Sequence, residues 1–208
     1  DKTNLKERIY IDTQQVMRLD NNIKSCSYDI DLLNMYLHQK DPDIVIVVDY
    51  LYGCIDQKVI DIIQNYCISN NKSIIVHSRD LRRYKISEET VLFLNKEEYS
   101  MYKYSLNISD EDITNRRIIT EGANGVTYID CYKNIHQEQS LVNPINVSGA
   151  GDSVLATASI IECSGKFDFE ELTLLNEVGA LAVQSKETYI LNKQDLISKV
   201  IMSLNKDD

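Results

Sequence analysis

The sequence has few of the features from which metal and redox sites are usually built. It contains five cysteines, none of them in a Cys-x-x-Cys pair, and three histidines that lie far apart without the spacing of metal ligands. An odd and scattered set of thiols is typical of a reducing compartment, where cysteines serve as small apolar residues. We therefore expect a cytoplasmic protein whose cysteines have no metal or redox role.

Long apolar runs and an excess of positive charge are missing as well. No run approaches the ~20 apolar residues that span a bilayer, and no signal peptide is recognisable. The net charge is −10 at pH 7, which argues against a partner bound through nucleic-acid phosphates. We expect neither a membrane span nor a nucleic-acid partner. The chain begins with Asp1 rather than Met, and two alternatives stay open: a fragment of a longer protein or a naturally short chain.

Apolar β-branched runs alternate with helical patterns along the 208 residues. This alternation predicts a single α/β domain over residues 1–208, a three-layer α/β/α sandwich around a mainly parallel sheet. Residues 44–48 are apolar enough for a parallel strand buried on both faces. The predicted strands lie within 8–20 and at 44–48, 73–76, 91–94, 117–120 and 126–129. The predicted helices run from Ser27 or Asp29 to 39, over 56–70, from Asn95 onward, and over 151–163, 169–184 and 194–204.

The most informative stretch is Ser148-Gly149-Ala150-Gly151-Asp152, which leads into an Ala-rich segment predicted to be helical. Its glycines allow a ligand to approach the backbone, and the first amides of a helix favour an anion. A carboxylate beside that anion suits the acceptance of a proton from a hydroxyl that attacks a phosphoryl group. The alternative is structural: Ser148 is a good N-cap, and the helix dipole favours an aspartate in the first turn.

This loop resembles the C-terminal signature of the ribokinase-like (PfkB) sugar kinases. In that family the aspartate is the catalytic base and the preceding backbone amides form the anion hole. The resemblance implies that Asp152 is the base, that Gly149, Ala150 and Gly151 form the anion hole, and that the substrates are ATP with Mg²⁺ and a sugar or sugar phosphate. A Walker loop is absent, since no Gly-Lys-Ser/Thr follows a glycine-rich run.

Asn95 and Glu98 form an Asn-x-x-Glu pattern at a strand-to-helix junction, on one helical face. An amide and a carboxylate there can hold a hydrated Mg²⁺ that bridges phosphates. The alternative is an ordinary capping box. Because the family carries the same pattern at this place in its order, where it assists Mg²⁺ and phosphate binding, we interpret both residues as Mg²⁺-organising.

Two further patterns predict residues that bind the nucleotide. Thr120, Gly122 and Gly125 resemble the family's Thr-x-Gly-x-x-Gly loop near the nucleotide phosphates, although a glycine turn between two strands has the same sequence. Asn176 resembles the asparagine that the family places near adenine on a late helix, although an asparagine on a helix is usually just solvated.

Residues 14–20 and 47–53 look like segments of the heptose-phosphate kinases within the family, which phosphorylate the anomeric hydroxyl of a heptose 7-phosphate. The sequence also departs from that pattern. Tyr52 stands where lysine is frequent, and the segment from Val76 to Arg79 replaces Val-Asp-Pro-Lys. The family's N-terminal Gly-Gly signature and much of its lid have no counterpart. We interpret these departures as changes on the sugar-phosphate side that affect the phosphoryl-transfer residues less.

Two hypotheses follow. The first is an ATP- and Mg²⁺-dependent sugar kinase, which coding sequence upstream of Asp1 would favour. The second is a non-catalytic nucleotide-binding or assembly subunit, which a native start near Asp1 would favour. In either case we expect the 208 residues alone to bind ATP–Mg²⁺ weakly, to turn over poorly, and to form a homo-oligomer such as a dimer through an apolar sheet edge.

Overall fold

The computed structural model describes residues 5–12, 14–21, 28–139, 142–185, 188–192, 194–195 and 197–198. Eight strands and five α-helices lie within them. The strands are β1 (Leu5–Ile11), β2 (Gln14–Asn21), β3 (Ile44–Asp49), β4 (Ser73–Ser78), β5 (Val91–Asn95), β6 (Arg117–Thr120), β7 (Val126–Ile129) and β8 (Asn134–Gln137). The helices are α1 (Ile30–Lys40), α2 (Gln57–Ser69), α3 (Lys96–Leu106), α4 (Ala150–Ser164) and α5 (Phe169–Gln184). Ser27 and most of the predicted helix at 194–204 lie outside the described residues.

The main sheet has the order β3-β4-β5-β6-β7-β8. Strands β3 to β6 are parallel, whereas β6, β7 and β8 pair antiparallel. An apolar cluster on one face of the sheet includes residues of α1, α2 and α3, and a second cluster on the other face includes residues of α4 and α5. This arrangement confirms the predicted three-layer α/β/α sandwich with a mainly parallel sheet. None of the described helices combines the length and the hydropathy needed to cross a bilayer.

The N-terminal segment differs from the prediction of a single half-buried strand within residues 8–20. It forms two strands, β1 and β2, that pair as an antiparallel hairpin. The chain reverses after Ile11, where Asp12 adopts a left-handed conformation with φ 52°. All the side chains of β1 are exposed. Alternation of apolar and polar residues suits a two-stranded ribbon as well as one strand, so the pattern alone did not reveal the turn.

Strand β3 also differs from the prediction, because it is not buried on both faces. It lies at one edge of the main sheet, with β8 at the other. Val47 and Asp49 are buried, whereas Ile46 and Val48 are 38% and 36% exposed. A β-branched run has the same sequence at an edge as in the centre of a parallel sheet, so composition cannot distinguish the two positions.

Candidate active site

The N-terminus of α4 lacks the side-chain cap that the sequence suggested. The N-cap residue is Gly149, not Ser148, and it makes no side-chain capping hydrogen bond. Its φ of 84° lies in the left-handed region, where glycine carries no steric cost. By contrast, Asp29, Asp56 and Asn95 accept hydrogen bonds from the first turns of α1, α2 and α3. The amide of Ala150 makes a long hydrogen bond of 3.4 Å to the carbonyl oxygen of Val147. The next amide of the turn, that of Gly151, is left to bind an anion from outside the helix.

An apolar cavity of about 340 Å³ lies on one side of this turn. Apolar side chains from the segment before α4 and from α4 and α5 form most of its wall. Six of the residues that the sequence assigned to the nucleotide or to phosphoryl transfer also line it. They are Thr120, Gly122, Gly125, Ala150, Gly151 and Asn176.

A polar cavity of about 380 Å³ lies on the other side of the turn. It is formed at the carboxyl ends of parallel strands, where ligands bind in sheets of this kind. Its lining residues are Tyr50, His77, Arg79, Phe93, Asn95, Glu98, Thr120, Val147, Gly151, Asp152 and Leu155. Thr120, Val147 and Gly151 line both cavities. The apolar and polar cavities therefore meet at the first turn of α4.

The Asp152 carboxylate is exposed in the polar cavity. The Tyr50 hydroxyl donates a hydrogen bond to its Oδ1 at 2.7 Å. Burial raises the pKa of Tyr50 to about 12, with further contributions from the hydrogen bond and from the negative charge of Asp152. Tyr50 is therefore a protonated hydrogen-bond donor at neutral pH.

The sequence analysis placed the changes at residues 76–79 on the sugar-phosphate side. In the structure, His77 and Arg79 line the same polar cavity as Asp152. The Arg79 guanidinium lies 5.1 Å from the centre of the Tyr50 ring. His77 Nδ1 lies 3.0 Å from the carbonyl oxygen of Phe93. The signal in the sequence was the position of Tyr50 and Arg79, each directly after one of two neighbouring parallel strands.

Asn95 and Glu98 form the capping box that was the structural alternative. Asn95 Oδ1 accepts from the Glu98 amide at 2.8 Å, and the Asn95 amide donates to Glu98 Oε2 at 2.9 Å. Both side chains nevertheless line the polar cavity, and Glu98 Oε1 takes no part in the capping box. Capping and metal binding are therefore compatible here, and the metal role remains a prediction.

The described residues contain no group of three His, Cys, Asp or Glu side chains suited to a metal ion. Mg²⁺ usually retains several waters and binds through one or two carboxylates together with substrate phosphates. Glu98, with the Asn95 amide beside it, provides such a limited set of oxygen ligands.

In the glycine loop after β6, the backbone conformation and a close contact require a glycine at position 125. Gly125 has φ 101°, and a Cβ at this position would lie 2.0 Å from the carbonyl oxygen of Gln137. Gly122 also has a left-handed φ, of 60°, but a Cβ there would meet no atom within 4 Å. Strands β6 and β7 pair antiparallel across this loop, as the hairpin-like pattern predicted.

Asn176 is buried rather than solvated. Its Nδ2 donates to the carbonyl oxygens of Gln137 at 2.8 Å and Glu138 at 3.2 Å. The side chain thus joins α5 to the end of β8 at the wall of the apolar cavity. A contact of Asn176 with adenine remains a prediction.

The chain is similar to known proteins both in sequence and in fold. No protein-family model matches the chain. The chain is 26% identical over 221 residues to Bifunctional protein HldE of Campylobacter jejuni, covering 96% of this chain and 48% of that protein. It is 29% identical over 136 residues to Ribokinase of Bacillus subtilis, covering 63% of this chain and 46% of that protein. The chain thus spans about half the length of the curated relatives it matches.

Solved structures with the same fold include two kinases. Phosphofructokinase-2 from Escherichia coli superimposes with a TM-score of 0.70 at 15% identity, covering 91% of this chain and 67% of that chain. A Burkholderia thailandensis nucleoside kinase in complex with inosine superimposes with a TM-score of 0.66 at 17% identity, covering 94% of this chain and 67% of that chain. At these identities the structural likeness establishes the fold alone.

Proposed function

We propose that this chain, which is similar in sequence and fold to ribokinase-like carbohydrate kinases, transfers the γ-phosphoryl group of ATP to a hydroxyl of a sugar or sugar phosphate. The observation that carries the proposal is the meeting of an apolar and a polar cavity at the uncapped first turn of α4. That turn also holds Asp152, so one point offers an anion site and a proton acceptor.

In this proposal, the adenine occupies the apolar cavity and the phosphates lie against the first turn of α4. The amides of Gly149, Ala150 and Gly151 stabilise negative charge that develops on the γ-phosphoryl oxygens. The acceptor hydroxyl enters from the polar cavity and transfers its proton to Asp152 as its oxygen attacks the γ-phosphorus. The bond from that phosphorus to the bridging oxygen breaks, and ADP leaves. Catalysis then depends mostly on holding the two substrates in line.

Asn95 and Glu98 are the residues that would hold Mg²⁺ in this site. When bound, the ion would neutralise part of the negative charge on the phosphates. The apolar cavity does not need the metal, because its wall offers shape and burial to a nucleobase.

The finer proposal is an acceptor that already carries a phosphate, such as a heptose 7-phosphate. The chain has a net charge of −10, yet two cations contact the ring of Tyr50, whose hydroxyl donates a hydrogen bond to Asp152. Arg79 and Lys6 lie 5.1 and 5.5 Å from the centre of the Tyr50 ring. Cations beside a cavity raise the local concentration of an anionic ligand despite the overall charge.

The second candidate is a nucleotide-binding subunit of an assembly. It is favoured by the exposed apolar side chains of β1 and β2 and by the exposed Ile46 and Val48 on edge strand β3. Large exposed apolar surface next to a sheet edge favours association with another chain.

A melting-temperature screen with nucleotides and sugar phosphates tests the proposal. A ligand that binds only the folded chain raises its melting temperature. We expect ATP with Mg²⁺ to raise it and a sugar phosphate to raise it further. Failure of every nucleotide to shift the melting temperature would count against both candidates.

Gly151→Ala should separate folding from phosphate binding. A Cβ at Gly151 meets no atom within 4 Å, and alanine is the better helix former by ~1 kcal/mol. The new methyl group would occupy the space where the two cavities meet. We expect unchanged or higher stability and an ATP affinity lower by about 10-fold, which is ~1.4 kcal/mol. Calorimetry measures both quantities, and unchanged ATP affinity would remove the anion site from this turn.

Glu98→Gln and Glu98→Ala together should separate metal binding from helix capping. Glutamine can keep the capping box but removes the carboxylate charge, whereas alanine removes both. We expect both variants to raise the Mg²⁺ concentration needed for half-maximal ATP binding. Both variants lose the favourable interaction of a first-turn carboxylate with the helix dipole. Glu98→Ala should lose about 1 kcal/mol more, because the capping box is also lost. If Glu98→Gln leaves the Mg²⁺ dependence unchanged, Glu98 is a capping residue without a metal role.

A further inference from the structure

We propose that Tyr50 is a positioning residue for the base, holding the Asp152 carboxylate in the orientation that accepts the proton of the acceptor hydroxyl. This inference rests on the proposed function. It adds a residue that the resemblance to the family did not suggest, because Tyr50 was not among the predicted site residues.

The central observation is the hydrogen bond from the Tyr50 hydroxyl to Asp152 Oδ1 at 2.7 Å. An ionised carboxylate accepts hydrogen bonds at both oxygens, so Oδ2 remains for the acceptor hydroxyl. Asp152 is exposed in the first turn of α4, where an unrestrained side chain can occupy several rotamers. Tyr50 comes from the opposite side of the polar cavity, after β3, and selects one orientation.

The ring of Tyr50 is itself held by its neighbours. The Arg79 guanidinium lies 5.1 Å from the ring centre, within the range of a cation–π contact. The His77 ring packs edge-on at 6.0 Å between centroids, and His77 is fixed by its hydrogen-bond contact with the carbonyl oxygen of Phe93. Lys6 Nζ approaches the same Tyr50 ring at 5.5 Å.

The backbone that carries Tyr50 is anchored by Asp49, which is buried. Asp49 Oδ1 accepts from the Leu51 amide at 2.8 Å, and its Oδ2 accepts from the hydroxyls of Ser78 at 3.1 Å and Tyr84 at 2.6 Å. Leu51 has a left-handed φ of 63°, so the chain turns sharply directly after Tyr50. The aspartate at the end of β3 therefore fixes the turn that directs Tyr50 to Asp152.

Six charged or titratable side chains face Tyr50 within the described residues: Asp152, Arg79, Glu98, His77, Tyr52 and Lys6. A phenol that stays protonated at neutral pH can donate a hydrogen bond but cannot act as the base. This leaves orientation of Asp152 as the chemical role of the hydroxyl, separate from the packing role of the ring.

A double-mutant cycle on turnover tests the inference. We expect Tyr50→Phe to lower kcat about 10-fold, since small misplacements of a reacting group are costly, and to leave the KM for ATP unchanged. Because Tyr50 acts through Asp152, Tyr50→Phe should have no further effect in the Asp152→Asn background. Tyr104→Phe is the control, since that tyrosine is 90% exposed on α3; it should leave kcat unchanged in both backgrounds.

The outcomes of the cycle distinguish the inference from the proposed function. Wild-type kcat for Tyr50→Phe, or an equal fold loss in both backgrounds, would overturn the positioning role and leave the base intact. Wild-type turnover of Asp152→Asn would instead overturn the base. A loss of kcat when Tyr50→Phe is made in the wild type, but not when it is made in Asp152→Asn, would support the inference.

A second measurement does not depend on turnover. The titration of the Tyr50 phenol can be followed by ultraviolet difference spectroscopy against Tyr50→Phe. Removal of the Asp152 charge should move that titration to lower pH in Asp152→Asn, because the hydrogen bond and the charge both raise the pKa of Tyr50. An unchanged titration would overturn the contact on which the inference rests.

Discussion

Asp152→Asn is expected to lower turnover by roughly 10²–10⁴-fold and to leave ATP binding intact, because loss of a general base typically has an effect of this size. Asparagine has nearly the same shape as aspartate but cannot accept the proton of the attacking hydroxyl. The apolar cavity does not include Asp152 among its lining residues, so the nucleotide should keep its affinity. The measurements are ADP formation for kcat and calorimetry for the ATP dissociation constant.

Glu170→Gln is the matched control for Asp152→Asn. Glu170 is an acidic residue in the first turn of α5, so its substitution removes the same kind of favourable interaction with a helix dipole, ~0.3–1 kcal/mol. It lines neither cavity. We expect a small loss of stability from both variants and a loss of turnover from Asp152→Asn alone. Turnover of Asp152→Asn near that of the wild type would remove the assignment of the base.

Gly125→Ala is expected to destabilise the fold by about 3 kcal/mol, the upper end of the range for local backbone strain. The left-handed φ of 101° disfavours any residue with a Cβ, and that Cβ would lie 2.0 Å from the carbonyl oxygen of Gln137. The same carbonyl oxygen accepts a hydrogen bond from the side-chain amide of Asn176. A shift of Gln137 should therefore also loosen α5 against β8 and weaken ATP binding. Chemical denaturation measures the first effect and calorimetry the second.

Gly122→Ala provides the comparison three residues away in the same loop. Its φ is also left-handed, at 60°, but its Cβ would meet no atom within 4 Å. We expect it to lose only the ~1 kcal/mol that the left-handed conformation costs an alanine. Equal losses from Gly122→Ala and Gly125→Ala would show that the close approach of Gln137 is not what requires a glycine at position 125.

Much of the fold follows from local sequence patterns. Helix α5 begins and ends where the pattern predicted, at Phe169 and Gln184, because a capping box at Asp168 marks its start. Asn95, Thr120 and Asp152 all line the polar cavity at the carboxyl ends of the parallel strands, where ligands bind in sheets of this kind. The order of the strands was not accessible, so the edge position of β3 and the exposure of Ile46 remained hidden.

The site was predicted less completely, for a related reason. Tyr50 and Asp152 are 102 positions apart in the sequence, and neither residue type indicates that the other is its partner. Asp49 could be assigned to the right edge of the sheet, but only its three hydrogen bonds reveal that it anchors a turn rather than facing a ligand. Likewise, Ser148 is a good N-cap residue, so the sequence favoured it as the cap of α4. The structure has Gly149 at that position, in a left-handed conformation that the sequence pattern did not predict.

The most direct test of the central claim is ADP formation from ATP and Mg²⁺ by the longest natural form of the protein, across a panel of sugars and sugar phosphates. We predict that ADP forms only when an acceptor hydroxyl is present, that phosphorylated sugars are the better acceptors, and that Asp152→Asn lowers the rate by roughly 10²–10⁴-fold. ATP binding without any acceptor-dependent ADP formation would contradict this prediction and would identify the chain as a nucleotide-binding subunit.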